Sequence, residues 1–440
     1  MTELKKTGIF CLAALLLAVA ALVFDTGGVT PEIFSDQGDP FYPDFTDPQA
    51  PKAIEVIDYD EATATARPLK VEFRDSKWSI PSHYSYPADA ADRLPNTSAA
   101  LMELRKDAIV SDRVEDHSVY GVIDPLDPAA TTLTGRGKRV TLRDENGNVL
   151  ADFIVGKEVE DKPGYRYLRV PDQRRTYAVQ TEAEVSARFV DWIETDLLKL
   201  SIGDIRRIAV NSYSINEAFG RIENVERLTL VKAEDNKWTL SGGGEPSDDK
   251  MRALTGALDN LRIVDVQPKP PNLTHDLKTR EGIQLSMGSV MSLQQKGFFV
   301  TQAGQLFSNE GEVVIDTANG LQYTLRFGEI ASGGPSATGE AGGESAEQTE
   351  SAGETEERRY LFITVDYSED RARQYSGDED SGEGSENGNA GEELATELQN
   401  RFAGWYYIIT GADFNNLRPR RRDLLRSVPA SSTTSVASNQ

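Results

Sequence analysis

Leu69-Lys70-Val71-Glu72-Phe73-Arg74-Asp75-Ser76-Lys77-Trp78-Ser79-Ile80 is answered further along by Leu228-Thr229-Leu230-Val231-Lys232-Ala233-Glu234-Asp235-Asn236-Lys237-Trp238-Thr239-Leu240. Each stretch reads as two short strands around a turn carrying Asp or Asn, with Lys-Trp opening the second strand. The two Lys-Trp pairs stand 160 residues apart, and this self-similarity organises the chain.

A helical segment follows each hairpin. In the second copy Ser247 is placed as an N-cap, with Asp248 and Asp249 in the first turn, where the helix dipole favours them. Met251, Leu254, Leu258 and Leu261 recur at helical spacing. In the first copy Leu101 and Leu104 fall on the matching face, with Pro95 near the start. Arg139–Arg143 and Val149–Lys157 flank Asn146-Gly147, a strong hairpin signal, and Glu312–Asp316 and Gln322–Glu329 flank Asn319-Gly320. Tyr165–Val170 pairs with Arg359–Val365 as a further strand, and Tyr177–Val179 with Tyr406–Ile409 as the last. Each last strand is expected to precede a helix, ending at Asp196-Leu197-Leu198 or Asp423-Leu424-Leu425. The expected fold is α+β: two tandem homologous repeats, residues 53–203 and 204–426, each a mostly antiparallel sheet with a packed helix. One N-terminal membrane helix is added to them.

The chain has 71 acidic and 47 basic residues, a formal net charge of −24. That acidity argues against nucleic acid, which is bound by supplied Lys and Arg. A single Cys excludes a disulfide framework and Cys-based zinc sites. Residues 331–357 and 376–393 each carry seven acidic residues and no basic one, and together hold fourteen of the twenty-four excess charges. Both are expected to be disordered acidic insertions of the second repeat, at tips where loop closure costs little.

Lys5 and Lys6 precede an apolar run from Ile9 to Phe24, a positive n-region and an h-region. Ala18-Val19-Ala20 has the small residues of a cleavage site, but apolar residues continue past it, so residues 1–24 are expected to remain as an anchor. With the lysines held in the cytoplasm, the rest lies outside. Residues 25–52 are rich in Asp, Pro and aromatics and are expected to form a spacer. The Ser/Thr/Ala-rich residues 427–440 are expected to be a disordered tail.

Taken in order, Lys77-Trp78, the helix, Tyr120-Gly121-Val122-Ile123-Asp124-Pro125, Ile154-Val155-Gly156-Lys157, Tyr167-Leu168-Arg169-Val170 and Asp191-Trp192-Ile193 before Leu197-Leu198 resemble the bacterial family catalogued as domain of unknown function 4340. The resemblance covers residues 53–426 as two copies. The second departs, with His275-Asp276-Leu277 and Arg280-Glu281-Gly282 where Tyr120-Gly121 would stand. What the resemblance implies is an N-terminal membrane helix, an exported region, and a link with ABC-type transport systems of the gliding-motility kind. No catalytic residues are known for the family, so none are carried over.

Candidate chemistry is sparse. His117 follows Glu115-Asp116 and His275 precedes Asp276, arrangements suited to acid–base work or metal binding, yet each reads more simply as a polar turn. His83 has less to recommend it. Gly135-Arg136-Gly137-Lys138 lacks the glycine spacing and the Ser or Thr of a phosphate loop. Trp78 and Trp238 are expected as core anchors, and Gly156 and Gly328 as turn glycines needing positive φ. Arg418, Arg420, Arg421, Arg422 and Arg426 form the one dense basic cluster, a candidate contact for anionic lipid or a partner. No cofactor or metal is expected. The leading expectation is a non-enzymatic accessory or scaffold protein of an ABC-type envelope transport complex. It would be a single-pass protein of the bacterial inner membrane, held by residues 9–24 and touching a permease. The alternatives are a solute- or glycan-binding module with an aromatic-lined cleft between the repeats, deep and with convergent polar groups, and a hydrolase using His117 with Asp116 or Glu115.

Overall fold

The computed structural model describes residues 36–425, apart from 182, 184, 217–220, 234, 272, 274–284, 302–304, 332–356 and 377–385. The anchor segment, the core of the first acidic tract, His275 and the tail lie outside the described residues. Two compact units emerge: residues up to Pro68 with Asp92–Val185, and Leu69–Ala91 with Ser186–Gln440. Their boundaries differ from the sequence repeats, because 69–91 and 186–203 group with the second unit.

The first strands are β1 (Ala53–Asp60), β2 (Thr65–Arg74), β3 (Lys77–Ile80), β4 (Tyr86–Pro87), β5 (Ala108–Ser111), β6 (Lys138–Arg143), β7 (Val149–Glu158), β8 (Tyr165–Arg169) and β9 (Thr176–Gln180). Then follow β10 (Ile205–Asn216), β11 (Arg221–Lys232), β12 (Trp238–Leu240), β13 (Asp265–Pro268), β14 (Phe298–Val300) and β15 (Leu306–Ser308). Last come β16 (Glu312–Thr317), β17 (Leu321–Ile330), β18 (Arg358–Tyr367) and β19 (Trp405–Thr410). The helices are α1 (Arg93–Met102), α2 (His117–Tyr120), α3 (Asp248–Asp259), α4 (Met287–Gln295), α5 (Glu369–Ser376), α6 (Glu386–Ala403), α7 (Gly411–Leu417) and α8 (Arg421–Leu424).

In the first unit six strands run β1-β6-β7-β8-β9-β5. In the second the order is β12-β11-β10-β16-β17-β18-β19-β13. Every neighbouring pair in these runs is antiparallel. Both sheets therefore place the strand that follows the first long helix at the edge, beyond a four-strand meander. Alternation sets the faces. Leu321, Tyr323, Leu325 and Phe327 of β17 are buried, while Gln322, Thr324 and Arg326 point to the other side.

The glycines expected to need positive φ do not have it. Gly156 and Gly328 lie within β7 and β17, and neither is among the positive-φ residues. They serve close approach instead. A Cβ on Gly156 would stand 2.4 Å from the Tyr120 carbonyl oxygen, and one on Gly328 2.1 Å from that of Lys296. Each touches a turn that ends a helix in a left-handed glycine, Gly121 (φ +67°) after α2 or Gly297 (φ +80°) after α4. At each site the ladder slips, between Val155 and Glu158 or between Phe327 and Ile330. Lys296-Gly297 thus stands to Gly328 as Tyr120-Gly121 stands to Gly156, while the segment around His275 lies outside the described residues.

Other expectations are also corrected. Trp78 and Trp238 are half-buried; the buried anchors of those strands are Ile80 and Leu240. Leu197 and Leu198 are buried but follow only a 3-10 turn, Phe189–Trp192, not an α-helix. The expected spacer is packed over its described part. Phe41 stands edge-on to Phe153 (5.5 Å) and Tyr177 (5.2 Å), and Asp36 accepts from Tyr177 and Arg175. Aromatic area drives that docking. Within the second acidic tract, residues 386–393 begin α6, whose Gly391, Ala395, Leu398 and Phe402 are buried at helical spacing. Among the described residues no helix is long and apolar enough to cross a membrane.

Candidate functional site: a cation-lined cavity in the second unit

One row of side chains crosses four neighbouring strands on a single face of the second sheet. Register pairs Glu312 of β16 with Arg326 of β17, and Arg326 with Phe362 of β18. Tyr406 of β19 continues the row, its ring 6.2 Å from that of Phe362. Over this face lie Leu293 of α4 and the β14–β15 hairpin, and between them is a cavity of about 450 Å³. Its wall is mostly apolar, including Leu273, Leu285, Leu293, Val300 and Leu306, with Gln305, Glu312, Arg326 and Thr364 as the polar groups. The volume is within the roughly 300–1,000 Å³ typical of small-molecule sites. Behind it Phe298, Phe362 and Tyr406 form a buried aromatic cluster.

Arg326 is held from three directions. Its Nε donates to the Leu306 carbonyl (3.1 Å) and stands 3.3 Å from Glu312, and Nη1 donates to the Thr364 hydroxyl (3.1 Å). Glu312 also accepts from the Asn211 amide at 3.2 Å. Burial pulls the Arg326 guanidinium below its ordinary range, and the Glu312 charge opposes that shift.

Lys269 directly follows β13 and is buried. Its Nζ donates to the Phe402 carbonyl at 3.1 Å and sits 3.6 Å from the centre of the Phe362 ring. Desolvation pulls this amine well below the lysine range, and the Arg326 charge adds to the effect. Lys296, after α4, stands 5.1 Å from the Tyr406 ring and 5.4 Å from Tyr360, its amine also pulled down by burial. The Tyr406 phenol is pushed up to about 12 by burial, against a hydrogen bond to Ser292. The arrangement can bind: it offers apolar wall, an anchored guanidinium and buried amines over aromatic faces.

The residues named from sequence do not meet here. His117 is buried at the start of α2, where Nε2–H donates to the Arg174 carbonyl at 2.8 Å. Asp116 instead accepts from Ser111 at 2.6 Å, so no His117–Asp116 hydrogen bond forms. Arg136 donates to the carbonyls of Asp124, Pro125, Asp127 and Ala130, making it the organiser of its own loop. In the basic cluster Arg418 is tied to Glu310 and Ser212, and Arg421 to the carbonyls of Ser241 and Gly243. Arg420 and Arg422 are exposed, and Arg426 lies outside the described residues. Among the described residues no three His, Cys, Asp or Glu side chains converge on a metal position. Sequence reading missed Lys269 and Arg326. Lys269 stands in Pro268-Lys269-Pro270-Pro271, which reads as a loop, and Arg326 occupies the polar phase of an alternating strand.

No curated protein and no solved structure matches the chain. Residues 78–279, somewhat under half of the chain, match the model of the family described as Domain of unknown function (DUF4340), the one its motifs resemble.

Proposed function

We propose that this chain is a non-enzymatic ligand-binding protein of the bacterial envelope whose second unit holds a small amphipathic molecule. The observation that carries this reading is the cavity between the β16–β18 face and the β14–β15 hairpin, apolar with one polar end at Arg326, Glu312 and Thr364. Native mass spectrometry of the full chain released from membranes tests it. A co-purifying small molecule that is lost in Leu293→Trp, which fills the cavity, supports the reading. A ligand-free wild type that also shows no thermal shift with alkyl amphiphiles refutes it.

The scaffold for this site is read as a duplication. Support comes from the shared six-strand order and from the ladder slip beside a close-approach glycine in both units. A second reading concerns the setting: a membrane-anchored, extracytoplasmic accessory subunit of an ABC-type transport complex. The Lys5-Lys6 and Ile9–Phe24 pattern and the family match favour it. Cross-linking in intact cells followed by membrane pull-down should recover a permease, and repeated recovery of none removes that reading.

A further inference from the structure

We infer that the ligand of this cavity is an amphiphile with an anionic head, an aliphatic monocarboxylate whose chain lies against Leu285, Leu293 and Leu306 and whose carboxylate meets Arg326. The inference rests on the cavity being a binding site, and it is carried by the balance of charge around the cavity. Arg326 and Glu312 stand in the wall itself, and the buried Lys269 and half-buried Lys296 lie behind it, over the Phe362 and Tyr406 rings. Glu312 is already engaged by Arg326 and Asn211. The Nη2 group of Arg326 has no acceptor among the described residues, while Nε and Nη1 are used. A guanidinium donor left open to the cavity is best matched there by a charged oxygen, the stronger kind of hydrogen bond.

Lys269 sharpens the choice. Among the described residues its Nζ meets a carbonyl and ring faces, with no carboxylate partner. Among the described residues, the charged or titratable groups facing it or its aromatic neighbours include Arg326 from β17, Tyr406 from β19, and Lys296 beyond that ring, an amine that also faces Tyr360. Among the described groups, a neutral head would bring no counter-charge to Arg326, and an ammonium head would be repelled by it. A carboxylate supplies the missing counter-charge, so its binding draws a proton onto Lys269.

Titration calorimetry of the full chain with decanoate, decanol and decylamine tests this. Decanoate is expected to bind about tenfold more tightly than decanol, with decylamine weakest. Arg326→Gln should bring decanoate affinity down to that of decanol and leave decanol unchanged, while Glu312→Gln should tighten decanoate. Proton uptake, followed from pH 6 to 10 in pairs of buffers of different ionisation enthalpy, should accompany decanoate somewhere below the ordinary lysine range and vanish in Lys269→Met. Decanol binding as tightly as decanoate, decylamine binding best, or decanoate binding without proton uptake overturns the inference while leaving the cavity a binding site. Failure of all three ligands to bind overturns both.

Discussion

Gly328→Ala should destabilise the chain by ~2–4 kcal/mol, and the figure follows from its surroundings. The new Cβ would stand 2.1 Å from the Lys296 carbonyl oxygen and 2.8 Å from the edge of the Phe298 ring. Neither neighbour yields easily. Phe298 is fully buried, and the Lys296 carbonyl accepts the Glu329 N–H at 3.0 Å. The next carbonyl, that of Gly297, accepts from Asn309 at 2.8 Å. Reaching ordinary contact therefore needs the turn to retreat by about 1 Å, which breaks the Glu329 bond at ~1–3 kcal/mol and strains the Phe298 packing at ~1–3 kcal/mol. Restricting the unfolded chain returns only ~0.4–1 kcal/mol. Gly156→Ala, with Tyr120 and Gly121 carbonyls at 2.4 and 2.9 Å, should behave alike. Gly256→Ala is the control. It lies inside α3 with nothing within 4 Å of its Cβ, and should stabilise by ~0.5–1 kcal/mol. Urea titration followed by circular dichroism ranks the three. A Gly328→Ala midpoint within 0.5 kcal/mol of the parent, on the order of scatter for a surface change, refutes the close-approach argument.

Because the Lys269 amine titrates well below an ordinary lysine when folded, the unfolded chain binds more protons between the two values. Stability should therefore rise with pH across that window and level off above ~10.4, and Lys269→Met should flatten the slope in urea midpoints measured from pH 6 to 10. Burial likewise lowers His117, though its hydrogen bond to Arg174 opposes the shift, so its contribution is present above ~6.5 and is lost on acidification. His117→Gln should remove that slope, and a parent that gains stability on acidification through this range would contradict it. Asp36 is pushed up by burial but held below the usual carboxylate range by Tyr177, Lys106 and Arg175. Asp36→Asn should speed amide exchange at Gly38 and Lys106, whose N–H groups bond across that junction; unchanged exchange counts against the docking.

The strands and hairpins were legible because their signals are local. Asn146-Gly147 and Asn319-Gly320 both join antiparallel pairs, with positive φ at each glycine. What escaped depends on distant partners. Phe41 and Tyr42 look like parts of a spacer until Phe153 and Tyr177 are brought beneath them. α6 was hidden differently: its first residues belong to an acidic, glycine-bearing tract, and the buried spacing that marks a helix lies further along. Its buried stripe starts at Gly391, small because a Cβ there would meet the Tyr367 ring at 2.7 Å. The cavity left the weakest trace. Nothing in Gln322–Phe327 says that the polar face of that strand is roofed by a hairpin rather than by water.

Matching the two close-approach glycines explains why the site belongs to one unit. Ile154 then takes the place of Arg326, with Arg139 at the position of Glu312 and Arg169 at that of Phe362. The row in the first unit carries its cations on the flanking strands, and both are consumed internally. Arg139 pairs with Asp152 and Asp124, and Arg169 donates to the carbonyls of Val122 and Gln173. Those carbonyls belong to the first unit's own connecting loops, so its arginines fasten chain onto the sheet. In the second unit the cation stands on the middle strand, and Phe362 occupies the register position that Arg169 has in the first. The polar face is left lined by Arg326, Glu312 and Thr364 around open volume. The cavity wall thus carries a positive charge, in a chain whose net charge of −24 would suggest the opposite. Overall acidity governs solubility and long-range attraction; the field met by a ligand in the cavity is set by the few charges in the row beneath it.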